Sequence, residues 1–185
     1  MMAALFLPIL MLAGPDFADD PTPSPASRVR PTTDIAKKMV ADAAARSPTV
    51  RALIDEIDRS DIFAYVELQF DVPGALAHTT LLVANEAGRF IRITIEASLE
   101  PRRRLELLAH ELQHAVEIAR EKDVRSVQAM RRLFTNIGWA MGERSFETAQ
   151  AIDIERQARR EMGMRTTSTA PVQLPRAPQA SRVPG

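Results

Sequence analysis

Two histidines and a glutamate in one short segment have the types and the spacing of a metal site. The segment 107–116 reads LLAHELQHAV, in which His110 and His114 are four positions apart and Glu111 follows the first. Residues four apart on a helix lie one turn apart on the same face, so both imidazoles can reach one ion. Zinc accepts nitrogen and oxygen ligands and keeps a position open for water. We therefore expect one Zn²⁺ on His110 and His114, with Glu111 as the general base for water activated by the ion.

The residues around this motif favour a buried metal helix over an incidental pattern. The chain has three histidines among 185 residues, so chance gives such a motif on the order of a few times per thousand chains. The flanking positions 107–109, 112, 113, 115 and 116 are all uncharged. A solvated helix with two incidental histidines, which is the alternative, is expected to carry charges at those positions.

A catalytic zinc usually takes three protein ligands, so a further residue must complete the site. The longer motif with a third histidine on the same helix is absent, because Glu117 and Arg120 occupy its positions. Glu147, Glu155 and Glu143 are the candidates from the last predicted helix and the residues before it. Glu147 is preferred, because helical spacing puts it on the apolar stripe, where a carboxylate is costly unless paired or metal-bound. Pairing with a buried arginine or capping of the helix is the alternative role for Glu147.

The elements that must position these residues follow from hydrophobic periodicity and turn signals. Helices are predicted over 34–46, 48–59, 101–121, 124–137 and 145–162. Strands are predicted over 62–72, 79–84 and 89–97, and the last two form a hairpin around the turn 85–88. The fold class predicted from this order is α+β, with a small antiparallel sheet packed on helices.

Composition predicts a single folded domain between two segments that cannot form a core. The first fourteen residues are apolar and uncharged, so we expect a signal-peptide-like segment at 1–18 and an exported protein, periplasmic or secreted. Proline-rich stretches predict a linker at 19–32 and a disordered tail at 165–185. The catalytic domain is then expected at 33–164. No cysteine follows the apolar run, so we expect no lipoprotein anchor. We also expect no stable membrane span after removal of the leader.

Charge and cysteine content exclude several other classes of function. The chain has 24 basic and 24 acidic side chains, a balance that argues against nucleic acid as a partner. The absence of cysteine excludes disulfides, thiol catalysis and thiolate metal ligands. The arginines at 102–104 and at 159 are predicted to be solvated surface charge, whereas Phe134 and Trp139 are predicted to lie in the core.

The sequence resembles the zincin metallopeptidases, and within them the gluzincin-like branch. The resemblance rests on His110, Glu111, His114 and Glu147, and on the order of hairpin, motif helix and later glutamate helix across about residues 89–162. It implies a zincin-like domain that hydrolyses peptide bonds in a peptide or protein substrate. It also implies that Glu111 acts as general base and then as proton donor, and that an edge strand above the metal holds the substrate.

Several details of that family pattern have no clear counterpart in this chain. The strand 89–97 is the nearest candidate for the substrate-binding edge. The E-x-x-x-D continuation is absent, because Ala151 stands four residues after the glutamate, and Asp153 is a weak substitute for the carboxylate that orients a ligand histidine. His78 and Tyr65 are the options for an oxyanion-stabilising group, although each fits a structural or solvent-facing role better.

Two other functions compete with a peptidase. The first is a non-catalytic zincin-like module that binds metal or another protein. The second is a helical interaction protein with no metal. Glu111 favours the hydrolase, because a metal store has no evident need for a base beside its ligands.

Overall fold

The computed structural model describes residues 27–72, 74–141 and 145–163. Its helices are α1 Asp34–Arg46, α2 Pro48–Asp58, α3 Pro101–Arg120, α4 Val127–Ile137 and α5 Ala149–Glu161. Its strands are β1 Val29–Pro31, β2 Ile62–Gln69, β3 Ala77–Asn85, β4 Gly88–Glu96, β5 Trp139–Ala140 and β6 Phe146–Glu147. The predicted segment 1–18 and tail 165–185 lie outside the described residues, as does Glu143. None of the helices in the described ranges is long and apolar enough to cross a membrane.

Strands β1 to β4 form one sheet in the order β1-β2-β4-β3, with helices packed against it, which confirms the α+β class. The sheet is mixed, whereas an antiparallel one was predicted, because β2 is parallel to both β1 and β4. Only the hairpin partners β3 and β4 are antiparallel. Strands β2 and β4 take the two interior positions, and Ile91, Ile93 and Ile95 on β4 are fully buried.

The folded part begins earlier than predicted. Strand β1 lies inside the range 19–32 that composition assigned to a linker, and it pairs with residues 64–66 of β2. Val29 is buried in the core, and Pro31 is compatible with the edge position, where its missing N–H removes no ladder bond. Three residues are too few to show a strand periodicity, so composition alone decided the prediction there.

Helices α1 and α2 begin where capping residues predict. The Thr33 hydroxyl accepts a hydrogen bond from the Ala36 amide, and the Ser47 hydroxyl accepts one from Val50, which satisfies amides that lack helical partners. The apolar stripes of both helices contact α3 or the sheet and close the core. These two helices therefore support the motif helix, and α2 also contacts α5.

Arg89 fixes the C-terminal end of α3 to the sheet. Its guanidinium is fully buried, makes two hydrogen bonds to Asp61, at 2.9 and 2.8 Å, and donates to the carbonyls of Ile118, Ala119 and Glu121. Those carbonyls lie at the end of the helix, where the regular helical hydrogen bonds stop, and those of Ile118 and Glu121 also accept from the amides of Glu121 and Val124. Hydrogen bonds and the charge of Arg89 outweigh partial burial, so the pKa of Asp61 lies well below its usual value. The motif helix is thus held in one position relative to β4.

The segment before α5 differs most from the prediction. A helix from residue 145 was expected, but Phe146 and Glu147 form β6, which pairs with β5. Helix α5 starts only after Thr148, whose hydroxyl accepts from the Ala151 amide. Phe134 is buried as predicted, whereas Trp139 on β5 is 46% exposed, so its core assignment was wrong.

Candidate metal centre

His110, Glu111 and His114 lie on a fully buried stretch of α3. Their exposed fractions are 7, 4 and 5%, and buried residues occupy every position from 105 to 119. The two imidazole rings are 4.8 Å apart between centroids and meet edge to face. The spacing on the helix therefore brings the two rings together, as the sequence predicted.

Glu147 completes a group that could hold a metal ion. Its Oε1 is 3.1 Å from Nε2 of His110, and one ligand atom from each of His110, His114 and Glu147 lies within 4.8 Å of the others. A tetrahedral zinc with bonds of about 2.1 Å holds its ligands about 3.4 Å apart, so these atoms are near the required spacing. Glu147 was the preferred third ligand, but the reason given was wrong, because it precedes α5 on β6.

Each histidine has a carboxylate at Nδ1. His114 Nδ1 is 2.8 Å from Oε2 of Glu117, and His110 Nδ1 is 3.2 Å from Oε2 of Glu155. The first contact is a hydrogen bond; the second is close but is not aligned as one. His114 Nε2 is buried and has no hydrogen-bond partner within the described ranges. A carboxylate on one ring nitrogen and a free lone pair on the other is the arrangement of metal-binding histidines, so the residues fit a metal ion.

Buried carboxylates determine the charge of the site. Burial lowers the pKa of His110, but its contacts with the carboxylates of Glu147 and Glu155 and the charge of Glu111 outweigh burial, and the pKa rises to about 10. Burial raises the pKa of Glu155, yet its contacts with His110 and Arg103 dominate and lower it to about 2. The pKa of Glu117 is also lowered, because its contact with His114 outweighs burial. The site is therefore rich in negative charge.

Glu155 is held by two arginines rather than available as a third ligand. Its Oε1 accepts from Arg103 and, at 2.7 Å, from Arg159, and both arginines also bind Glu106. These arginines were predicted to be solvated surface charge; the structure instead leaves them partly buried beside the site. Asp153, the weak candidate for orienting a histidine, is exposed and pairs with Arg156. Glu155 and Glu117 are therefore the carboxylates beside Nδ1 of His110 and His114, a role that the sequence left unassigned.

Glu111 is held from strand β3. The Thr79 hydroxyl donates to Oε2 of Glu111 at 2.8 Å, and the same hydroxyl lies 3.3 Å from the Glu111 carbonyl. Strand β3 is at the edge of the sheet, whereas the strand 89–97 proposed as the substrate edge is β4, in the interior. The edge strand beside the candidate ligands is therefore β3, and the prediction that residues 89–97 form the substrate-binding edge was wrong.

A cavity of about 360 Å³ opens in front of this group. Its polar lining includes His110, His114, Glu111, Glu147 and Glu155. Its apolar wall consists of Leu76, Leu107, Met130, Phe134, Met141 and Phe146. The cavity thus combines an acidic, metal-compatible wall with a wall suited to an apolar group.

The two options for an oxyanion-stabilising residue are not equivalent. Tyr65 alternates with the buried Ala64 and Val66 on β2, so its side chain is on the sheet face away from α3. His78 borders the cavity, but its register partner is Thr94, which puts its side chain on the face opposite to Thr79. Neither assignment is strengthened by this geometry.

Sequence reasoning missed Thr79, Glu117 and Thr148. The Glu117 carboxylate is three residues after His114, so helical spacing could have identified their pairing. Thr148 follows the predicted ligand and has the residue type of an N-cap, a signal that also places the helix start correctly. No local pattern connects Thr79 to Glu111, because the two residues are 32 positions apart.

Comparisons with protein-family models, with curated proteins and with solved structures found no match to this chain. The resemblance to the zincins therefore rests on the motif and on the geometry described above, and it stays a prediction. In one respect the geometry departs from what the resemblance implies. The third carboxylate comes from a short strand immediately before the last helix, rather than from the helix itself.

Proposed function

We propose that this chain is a zinc-dependent metallopeptidase of the zincin kind, with one ion on His110, His114 and Glu147. The observation that carries the proposal is the orientation of the two imidazoles. Each presents Nδ1 to a carboxylate, which leaves Nε2 of His110 beside Glu147 and Nε2 of His114 buried without a hydrogen-bond partner among the described residues. A buried Glu111 next to such a pair distinguishes a hydrolytic site from a simple metal store.

The residues around the ion have separate tasks in this proposal. Zinc would supply Lewis acidity and lower the pKa of a water ligand to about 7. Glu111 would act as the general base for water at the site and then as the proton donor to the leaving nitrogen of the peptide. Thr79 already occupies Oε2 of Glu111, so we assign proton transfer to Oε1. A base held in one orientation by a hydroxyl loses less rotational freedom during the reaction.

The substrate class follows from the edge strand and the cavity. Within the described residues no strand pairs with the outer edge of β3, so an extended peptide can add there through backbone hydrogen bonds. The apolar wall of the cavity then accepts one substrate side chain next to the scissile bond. We propose an extended peptide or a protein segment with a large apolar side chain at that position as the substrate.

The proposal is tested by measuring zinc content and peptide hydrolysis on the same preparations. We expect one zinc per wild-type chain, and cleavage of a peptide library before or after apolar residues. In Glu111→Gln the zinc stays and hydrolysis falls at least about a hundredfold, the size expected for loss of a general base. Glu86→Gln, in the exposed turn between β3 and β4, is the matched control and keeps both properties.

Each other outcome rejects the proposal in a defined way. Stoichiometric zinc without hydrolysis by any preparation indicates the non-catalytic metal-binding or interaction module. Equal and low zinc content in wild type and His110→Ala/His114→Ala indicates a protein with no metal site. Hydrolysis that survives Glu111→Gln places the activity elsewhere in the chain.

A further inference from the structure

Glu117 connects two of the candidate ligands through a chain of hydrogen bonds. Its Oε2 is 2.8 Å from Nδ1 of His114, and its Oε1 accepts from the Thr148 hydroxyl at 2.8 Å. The Thr148 amide in turn donates to Oε1 of Glu147 at 3.1 Å. A single carboxylate on α3 therefore reaches both a ligand on its own helix and the segment that carries the ligand from β6.

This chain of contacts determines the tautomer of His114. The Glu117 carboxylate accepts, so the neutral imidazole carries its proton on Nδ1 and exposes the lone pair of Nε2. The Nε2 atom is the buried one that lacks a partner in the described part of the chain. The ligand nitrogen is thus prepared for a cation by a group that does not touch the cation.

The same carboxylate fixes where Glu147 can lie. The Thr148 hydroxyl donates to Glu117 and accepts from the Ala151 amide at 3.1 Å, so residue 148 is tied both to α3 and to the start of α5. Glu147 is the preceding residue, and its backbone cannot move far while Thr148 is held in this way. Thr148 is 2% exposed and Glu117 is 5% exposed, so water has little access to either contact.

Glu117 and Thr148 also stand apart from the space assigned to substrate. They border a second cavity of about 320 Å³, which shares no lining residue with the cavity of about 360 Å³ at the metal group. Substitutions at these two positions therefore change the support of the ligands and leave the substrate wall intact. Their effects on metal binding can be separated from effects on substrate binding.

We propose that Glu117 and Thr148 are positioning residues that set His114 and Glu147 in the geometry for metal binding before the ion arrives. The inference rests on the proposed metal site and extends it to residues outside the ligand set. Metal-binding histidines that lose such a carboxylate typically lose 10- to 100-fold in metal affinity. The Glu117–Thr148 pair acts on two ligands at once, so both members are expected to influence affinity.

The test is the zinc dissociation constant, measured by competition with a chromophoric chelator on the full chain. We expect Glu117→Gln to weaken zinc binding by about 10- to 100-fold. Thr148→Val, which removes only the hydroxyl, weakens it by roughly tenfold, whereas Thr148→Ser restores binding to within about twofold of wild type. The double variant Glu117→Gln/Thr148→Val is at most about twofold weaker than Glu117→Gln, because the Thr148 hydroxyl acts on the ligands through its hydrogen bond to the Glu117 carboxylate.

Glu161→Gln is the matched control, because it should lower the stability of the fold without changing the contacts that position His114 and Glu147. Its carboxylate accepts hydrogen bonds from the hydroxyls of Ser47 and Thr49, away from the metal group, so this variant should unfold more easily yet bind zinc like wild type. If Glu117→Gln and Thr148→Val bind zinc as tightly as Glu161→Gln does, the positioning role is refuted while the metal site stands. If wild type binds no zinc, the proposed function itself fails.

Discussion

The hydrogen bonds of Arg89 give the clearest quantitative expectation for stability. Arg89→Met keeps an apolar stem of similar length but removes every hydrogen bond to Asp61 and to the carbonyls at the end of α3. Removing one partner of a buried charge pair costs about 3–5 kcal/mol. Asp61 is about one-third exposed and keeps a contact with Lys122, so water and that lysine recover part of the loss. We expect a decrease of about 3 kcal/mol in the free energy of unfolding.

Urea unfolding followed by far-ultraviolet circular dichroism measures this decrease directly. Arg125→Met is the matched control, because Arg125 is exposed and donates to a single carbonyl, that of Asn85 at 2.7 Å. A surface change of this kind should cost less than about 0.5 kcal/mol. Equal free energies of unfolding for the two variants would show that Arg89 does not anchor α3, and the account of how the motif helix is positioned would have to be abandoned.

Two further predictions concern the base and the dependence of stability on pH. Thr79→Val should keep zinc content and lower kcat for peptide hydrolysis by roughly tenfold, with recovery in Thr79→Ser, since the hydroxyl orients Glu111. Burial raises the pKa of Glu161, but hydrogen bonds from Ser47, Gln157 and Thr49 outweigh burial and lower the pKa from 4.5 to about 2. The ionised carboxylate therefore contributes fully to the free energy of unfolding above pH 4.5, and this contribution is lost as the pH falls through about 2. Urea unfolding should therefore show Glu161→Gln less stable than wild type by about 1 kcal/mol at pH 7 and nearly equal at pH 2; a gap that widens in acid would contradict this assignment.

Local patterns predicted those elements whose signals are complete within a dozen residues. Helix α1 has its predicted bounds, Asp34–Arg46, because the capping threonine, the apolar stripe and the Ser-Pro break are all local. The hairpin of β3 and β4 was predicted for the same reason, from two alternating segments around a short turn. The motif helix α3 was predicted to within one residue at its end.

Pairing between distant segments was not accessible in this way. Which strand lies beside β2 depends on the whole chain, so the mixed sheet and the interior position of β4 could not be deduced from alternation alone. Residues 146 and 147 fit a helical stripe as well as a strand, and the pairing of β5 with β6 decided the outcome. Arg103 was expected in water because a run of arginines usually is, but Glu106 and Glu155 provide partners from two helices.

The distribution of charge around the two imidazoles is the strongest physical reason to expect a cation there. Five carboxylates lie within or directly beside the group, each of them buried or partly buried: Glu106, Glu111, Glu117, Glu147 and Glu155. Two arginines, Arg103 and Arg159, bind Glu106 and Glu155 and leave the other three carboxylates facing the histidines. Burying unpaired carboxylates is unfavourable, and proteins keep such groups where a partner or a metal offsets the cost. His110, whose pKa is raised to about 10, offsets part of that cost as an imidazolium beside Glu147 and Glu155. A divalent ion on His110, His114 and Glu147 would replace that proton and offset the cost further, so this distribution of charge supports the proposed metal site.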